Sequence, residues 1–104
     1  MFTETHLKII KHIQSNPEAT QRQLSEELGV SVGKVNYCIR ALIDKGLVKV
    51  TSLKRNTNKL SYLYLLTPKG IAEKSKLTVR FLQCKIIEYG QLILEIEQLR
   101  RDSE

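Results

Sequence analysis

Asn36, Tyr37 and Arg40 fall within one short stretch, "SVGKVNYCIRALIDKG", and all three are side chains with something to offer a base edge. Residues four apart share one face of a helix. Arginine presents a fork that fits guanine O6 and N7, and asparagine a donor and acceptor pair that fits adenine. Tyr37 can hydrogen-bond a phosphate or pack on a thymine methyl. Lys34 adds a cation, and Gly33 removes the side chain in what would be the first helical turn, so that a backbone can approach closely. Ser31 is placed to cap that turn, whose free N–H groups and positive dipole end suit a phosphate. Any one of these residues alone would equally mark the wet side of an ordinary helix.

Two further groups share this chemistry. Lys54, Arg55, Asn56, Asn58 and Lys59 have the composition of a phosphate or minor-groove contact. From Lys45 to Lys59 there are five basic residues and no acidic one. Thr20, Gln21 and Arg22 open a second helix that could cross a nucleic-acid backbone, with plain capping as the alternative. The net charge of +6 is unevenly spread: residues 1–67 hold 10 basic and 5 acidic side chains, and residues 68–104 hold 7 and 6. The excess therefore accompanies the candidate contacts and favours a polyanionic partner there.

Other chemistries find little support. No Ser/His/Asp, Cys/His or paired-carboxylate constellation is present, and no glycine-rich phosphate loop, so catalysis is not expected. His6 and His12 are six apart and would not share a helix face, so neither a metal site nor any cofactor is expected. Cys38 and Cys84 fall on or beside apolar stripes, where free cysteine behaves as a small hydrophobe, with a redox switch as the alternative. Aromatic residues make up 6% of the chain and tryptophan is absent, which argues against a single-strand stacking platform. Tyr62 and Tyr64 share a strand face with Leu60 and Leu66 and read as core rather than a stacking platform. The start "MFTETHLKII" lacks the pattern of a signal peptide, and no run approaches the roughly 18 apolar residues of a membrane span. A soluble, cytoplasmic protein without a membrane partner is expected.

The elements that must hold these residues are legible from periodicity. A first helix runs from about Thr3 or Thr5 to Ser15, with Leu7, Ile10 and Ile13 as its apolar stripe and "SNP" as its stop. "TQRQ" opens a second helix with a capping box of Thr20 and Gln23, and Gly29 ends it. Ser31 caps a third helix, with Val32, Val35, Ile39, Leu42 and Ile43 inward, which Gly46 terminates. The tight turn "LGVS" between the two makes a helix-turn-helix. "LVKV" and "KLSYLYLL" alternate as strands, with "TSLKRNTN" between them as a loop, so the hairpin is a wing. Thr67 and Pro68 then start a helix that runs to the C-terminus, with Gly70 and Gly90 as its weak points. Val79, Leu82, Ile86, Tyr89, Ile93 and Ile96 follow an a/d spacing along it, and Leu77, Phe81, Cys84 and Leu92 form a second stripe. One stripe can serve the parent domain and the other a second copy of the chain. The expected fold is mainly α with a small β-hairpin (α+β): a winged helix-turn-helix over residues 1–67 and a long dimerisation helix over 68–104.

"QLSEELGVSVGKVNYCIRALIDKGLVKV" followed by "KLSYLYLLTPKGIAEK" resembles MarR-type winged-helix regulators. More narrowly, "LGVSVGKVNYC", "ALIDKGLVK" and "YLYLLTPKGI" are similar to the small MarR-family regulators associated with bacterial extracellular polysaccharide gene clusters. The resemblance runs from about Thr20 through the C-terminal helix. It implies a bacterial transcriptional regulator, with Ser31 to Arg40 as recognition helix, Lys54 to Lys59 as wing and Pro68 onward as dimerising helix. Members of the wider group are longer, with extra terminal helices enclosing a ligand pocket. This chain starts almost at the first winged-helix element and carries one C-terminal helix, so a simpler coiled-coil dimer is expected, and whether a small-molecule effector exists is left open. Ser25 replaces the alanine common where the two motif helices cross, and its small size should preserve the crossing.

Together these readings point to a homodimer on a palindromic double-stranded DNA site. The competing expectation is a winged helix that binds protein, with the long helix as an assembly arm; the polar outer face of the third helix speaks against it.

Overall fold

The computed structural model describes residues 2–54 and 60–104. The order is α1 (Glu4–Ser15), α2 (Gln21–Leu28), α3 (Val32–Asp44), β1 (Val48–Lys54), β2 (Leu60–Leu66) and α4 (Pro68–Asp102). The two strands pair antiparallel, Val48 opposite Leu66 and Lys54 opposite Leu60. The result is a winged helix-turn-helix with a long C-terminal helix, as the sequence pattern predicts.

The local stops and starts follow from the capping chemistry. Thr20 N–H donates to Gln23 Oε1 at 2.9 Å while Gln23 N–H donates to Thr20 Oγ1 at 3.1 Å, so two otherwise orphaned donors are satisfied at once. Gly29 takes φ 67° and ψ 31°, a left-handed turn that any side chain would strain, and its N–H returns to the Ser25 carbonyl at 2.9 Å. The Ser25 hydroxyl donates to the Val30 carbonyl across the same turn, so this small residue bonds the connection as well as fitting the crossing. Ser31 Oγ then accepts from Lys34 N–H at 3.1 Å and starts α3.

The core gathers around α1, which packs against α2, α3, α4 and β2. That central place explains why Ile9 is fully buried beside the expected Leu7, Ile10 and Ile13. Leu24, Val35, Ile39, Leu42, Leu47 and Leu77 close the core from the other elements. Each such side chain contributes about 1.5–3 kcal/mol of burial. Cys38 belongs here too: it is fully buried, and burial pushes its thiol up, away from the reactive thiolate.

Four expectations need correction. Val32 is 44% exposed rather than inward, because it lies in the first turn of α3 before the helix meets the core. Tyr62 is 56% exposed whereas Tyr64 is buried, because the hairpin reaches beyond the core from about Tyr62 outward. "TSLK" pairs as strand rather than loop, since a two-stranded ribbon needs backbone partners and tolerates polar side chains on its open face. Gly70 is not a weak point of α4: a β-carbon there would stand 2.1 Å from the Leu47 carbonyl oxygen and 2.8 Å from Leu66 Cδ1. The first turn of α4 thus lies directly on Leu47, the residue before β1, and on Leu66 of β2. Thr67 fixes the same junction, its hydroxyl donating to the Gly46 carbonyl at 2.6 Å and accepting from Gly70 N–H at 3.0 Å.

At the other end of the core, His6 is buried and its Nδ1 accepts the Thr3 backbone N–H at 2.9 Å, with the Phe2 ring edge-on at 5.2 Å. Burial first, and then the charge of Lys34, hold its imidazole below the ordinary value. The folded state therefore favours neutral His6. Its contribution to stability is complete above about pH 6.5 and is lost as pH falls through the lowered folded value. His6→Gln keeps an acceptor for Thr3 N–H without a titrating group. Thermal unfolding of the two proteins from pH 7.5 to 5 should show a smaller acid loss in the variant; equal losses would remove His6 from the account.

α4 spans 35 residues. At 1.5 Å per residue it is about 52 Å long, far more than the body beneath it can cover. Leu77 is buried and Phe81 packs against the core. Arg80 donates to the Phe2 carbonyl, Lys74 to Gln14 Oε1, and Lys85 pairs with Glu4 at 3.4 Å, so α1 and α4 run antiparallel over residues 70–85. Past Lys85 the helix stands free of the body. Cys84 and Leu92, placed with Leu77 and Phe81 on one stripe, are exposed because that stripe outruns the domain.

Candidate nucleic-acid interface

The third helix presents its polar residues in a definite order around its axis. Val35, Cys38, Ile39 and Leu42 are buried, which turns Gly33, Tyr37 and Arg40 directly outward. Tyr37 is 70% exposed and Arg40 is exposed. A β-carbon on Gly33 would meet nothing closer than Ser31 Oγ at 3.9 Å, and Gly33 is not among the left-handed glycines. The fold itself therefore does not require glycine at this position.

The two flanks of that face differ. Lys34 is exposed on the α1 side, where its charge bears on His6 and Cys38. Asn36 lies on the α2 side and is half-buried, its Nδ2 donating to Gln21 Oε1 at 3.3 Å. Gln21 Nε2 donates in turn to the Tyr64 hydroxyl at 3.2 Å. Three residues from α3, α2 and β2 thus form one polar chain across the root of the face. Two of them, Asn36 and Gln21, were expected as outward contacts. In the fold they also hold the two motif helices and the wing strand at a fixed angle.

The remaining expected contacts divide by element. Thr20 and Arg22 are exposed at the start of α2, as is Ser31 at the start of α3. Lys45 and Lys49 are exposed on either side of the turn into β1. Lys54 is the last residue of β1. Arg55, Asn56, Asn58 and Lys59 lie outside the described residues. Two residues were missed by pattern reading. Tyr64 looked like plain core, and its approach to Gln21 rests on a distant contact, its N–H donating to the Pro17 carbonyl at 3.0 Å just before α2. Val32 followed the inward period, but its place right after a cap residue was a signal that it precedes the packed part of the helix.

The arrangement combines an outward helix face with two helix N-termini and a hairpin at its side. Asp44 and the acidic residues of α2 lie at the far ends of their helices, away from the two N-termini. Such a surface offers N–H groups and cations to phosphates and a tyrosine and an arginine to base edges.

Residues 2–49 match a family described as winged helix-turn-helix DNA-binding. A comparison with curated protein sequences finds no match. Among solved structures, the chain is similar to the PcaV transcriptional regulator of Streptomyces coelicolor, solved with its natural ligand. The TM-score is 0.71 at 17% identity, over 98% of this chain and 74% of that one. It is also similar to FabT of Streptococcus pneumoniae, solved in complex with DNA, with a TM-score of 0.61 at 23% identity, over 99% and 78%. ZitR of Lactococcus lactis, a zinc-responsive MarR family member, aligns with a TM-score of 0.63 at 21% identity. That alignment covers 88% of this chain and 61% of ZitR. At these identities the likeness is one of fold: the chain has the winged-helix architecture found in MarR-type regulators.

Proposed function

We propose that the chain is a MarR-type transcriptional regulator that binds a palindromic site on double-stranded DNA as a homodimer, through residues 1–67, and pairs through residues 68–104. The observation that carries this reading is the outward face of α3, with Gly33, Tyr37 and Arg40 exposed beside the capped N-termini of α2 and α3. One such helix per subunit enters the major groove, and half-sites stand about 10 base pairs, one helical turn, or a multiple of it apart. Arg40 and Tyr37 set base preference, with Asn36 contributing from the flank. Val32, exposed in the first turn, can meet a thymine methyl. Thr20, Gln21, Arg22, Ser31 and Lys34 supply phosphate contacts from the helices. Lys54, Arg55, Asn56, Asn58 and Lys59 supply them from the wing.

The blocks "LGVSVGKVNYC" and "YLYLLTPKGI" support a finer reading, regulation of polysaccharide genes in a bacterial cytoplasm. Their test is recovery of bound duplexes from genomic DNA, which returns target genes directly. The contact model is tested by Arg40→Ala. On the best recovered site this variant should lose about 1–3 kcal/mol of binding and discriminate less at one base pair per half-site. Unchanged affinity and preference would take the outward face of α3 out of the reading role.

A further inference from the structure

α4 carries its charges in blocks along its length, the last turn holding Arg100, Arg101 and Asp102. Residues 68–85 hold Lys69, Lys74, Lys76, Arg80 and Lys85 against Glu73 alone, whereas residues 86–99 hold Glu88, Glu95 and Glu97 and no basic residue. Across both blocks runs the seam: Val79, Leu82, Ile86, Tyr89, Ile93 and Ile96 are between 39% and 66% exposed. Leu92 and Leu99 widen it on one side. The side of α4 that meets the body, marked by Gly70, Leu77 and Phe81, is turned away from this seam. A shallow groove lined by Ser75, Lys76, Val79, Arg80 and Gln83 continues the seam onto the part of α4 that lies over the body.

From these observations we propose that two copies of the chain pair their α4 helices antiparallel, and this rests on the homodimer reading above. The register that uses all six seam residues sets Val79 against Ile96 of the partner subunit, Leu82 against Ile93 of the partner subunit and Ile86 against Tyr89 of the partner subunit. The twofold repeats each layer. In the same register Lys76 flanks Glu97 of the partner subunit, and the acidic block of one helix lies along the end of the basic block of the other. Parallel pairing would instead set acidic block beside acidic block and basic beside basic, with no opposite-charge pair at the flanking positions; like charges side by side are unfavourable. The end of the partner helix fills the groove beside Val79.

The body covers α4 from about residue 70 to 85, and the twofold lies between Ile87 and Glu88. At 1.5 Å per residue the two bodies are offset along the arm by roughly 30 Å, close to the 34 Å of one duplex turn. An offset near one turn is the spacing at which two reading helices can meet one face of the DNA.

Crosslinking decides between the orientations. In a Cys84→Ser background, Val79→Cys with Ile96→Cys should form covalent dimers with a short bis-maleimide, whereas either substitution alone should not. The two positions are roughly 25 Å apart on one helix, so the bridge has to be between chains. Covalent dimers from Val79→Cys alone, with light scattering still reporting a dimer, would overturn the antiparallel arrangement and leave the homodimer standing. A monomer by light scattering in the parent protein would overturn the homodimer itself. All three positions are exposed, and unchanged helical circular dichroism checks that the fold persists.

Discussion

Gly70→Ala is expected to destabilise the fold by about 3 kcal/mol, the upper range for overpacking, although it removes no contact and adds a single methyl group. The new β-carbon would stand 2.1 Å from the Leu47 carbonyl oxygen and 3.0 Å from its carbon, and those are backbone atoms held by two hydrogen bonds from Thr67. No side-chain rotation relieves that clash. Either the first turn of α4 lifts from Leu47 or Leu47 shifts, and both moves open the Leu47–Leu66 corner of the core. Gly33→Ala is the matched control. Its β-carbon meets only Ser31 Oγ at 3.9 Å, so alanine there should gain about 0.5–1 kcal/mol through helix propensity. Urea unfolding of the two variants checks the pair, and a Gly70→Ala protein as stable as the parent would mean that α4 does not sit where described.

The second large effect concerns the seam. Ile86→Glu together with Ile93→Glu should convert the proposed dimer to a monomer and weaken binding to its proposed twofold site at least about 100-fold. In a twofold complex the second half-site is bound at high effective concentration, and that gain disappears when the heads are separated. The folded monomer should survive, because Ile86 is 61% and Ile93 39% exposed and neither touches the core. Light scattering with a gel shift measures both effects. Dimers that persist with both glutamates in place would show that the seam is not the interface.

How much of this could be read from the residues differs by element. The helix boundaries were legible because each rests on local chemistry: Thr20 with Gln23, Gly29, Ser31, and Thr67 with Pro68 all carry their signal within four positions. The outward position of Tyr37 and Arg40 was legible for the same reason, since helical period fixes it once the core face is known. What depended on distant neighbours was not. Asn36 and Gln21 looked like free polar contacts, and only the approach of Tyr64, 43 positions from Gln21, reveals the chain of hydrogen bonds they make. Gly70 looked like a helix weakness because the clash it avoids is with Leu47, from another element. Ile9 fell outside the apolar stripe, yet α1 is surrounded and buries a second side.

The central claim is that this surface holds duplex DNA, and salt dependence tests it most directly, since a protein that neutralises phosphates releases counterions. Taking about two phosphate contacts for each subunit of the proposed dimer, the logarithm of the binding constant on any duplex should fall with the logarithm of salt at a slope of about −3.6 or steeper. Gel shifts between 50 and 200 mM salt on a random duplex suffice, roughly the range over which such proteins lose most of their affinity. A steep linear fall is the expected result. Binding that is absent at low salt, or that does not respond to salt, would contradict the DNA reading and leave the protein-binding alternative in its place.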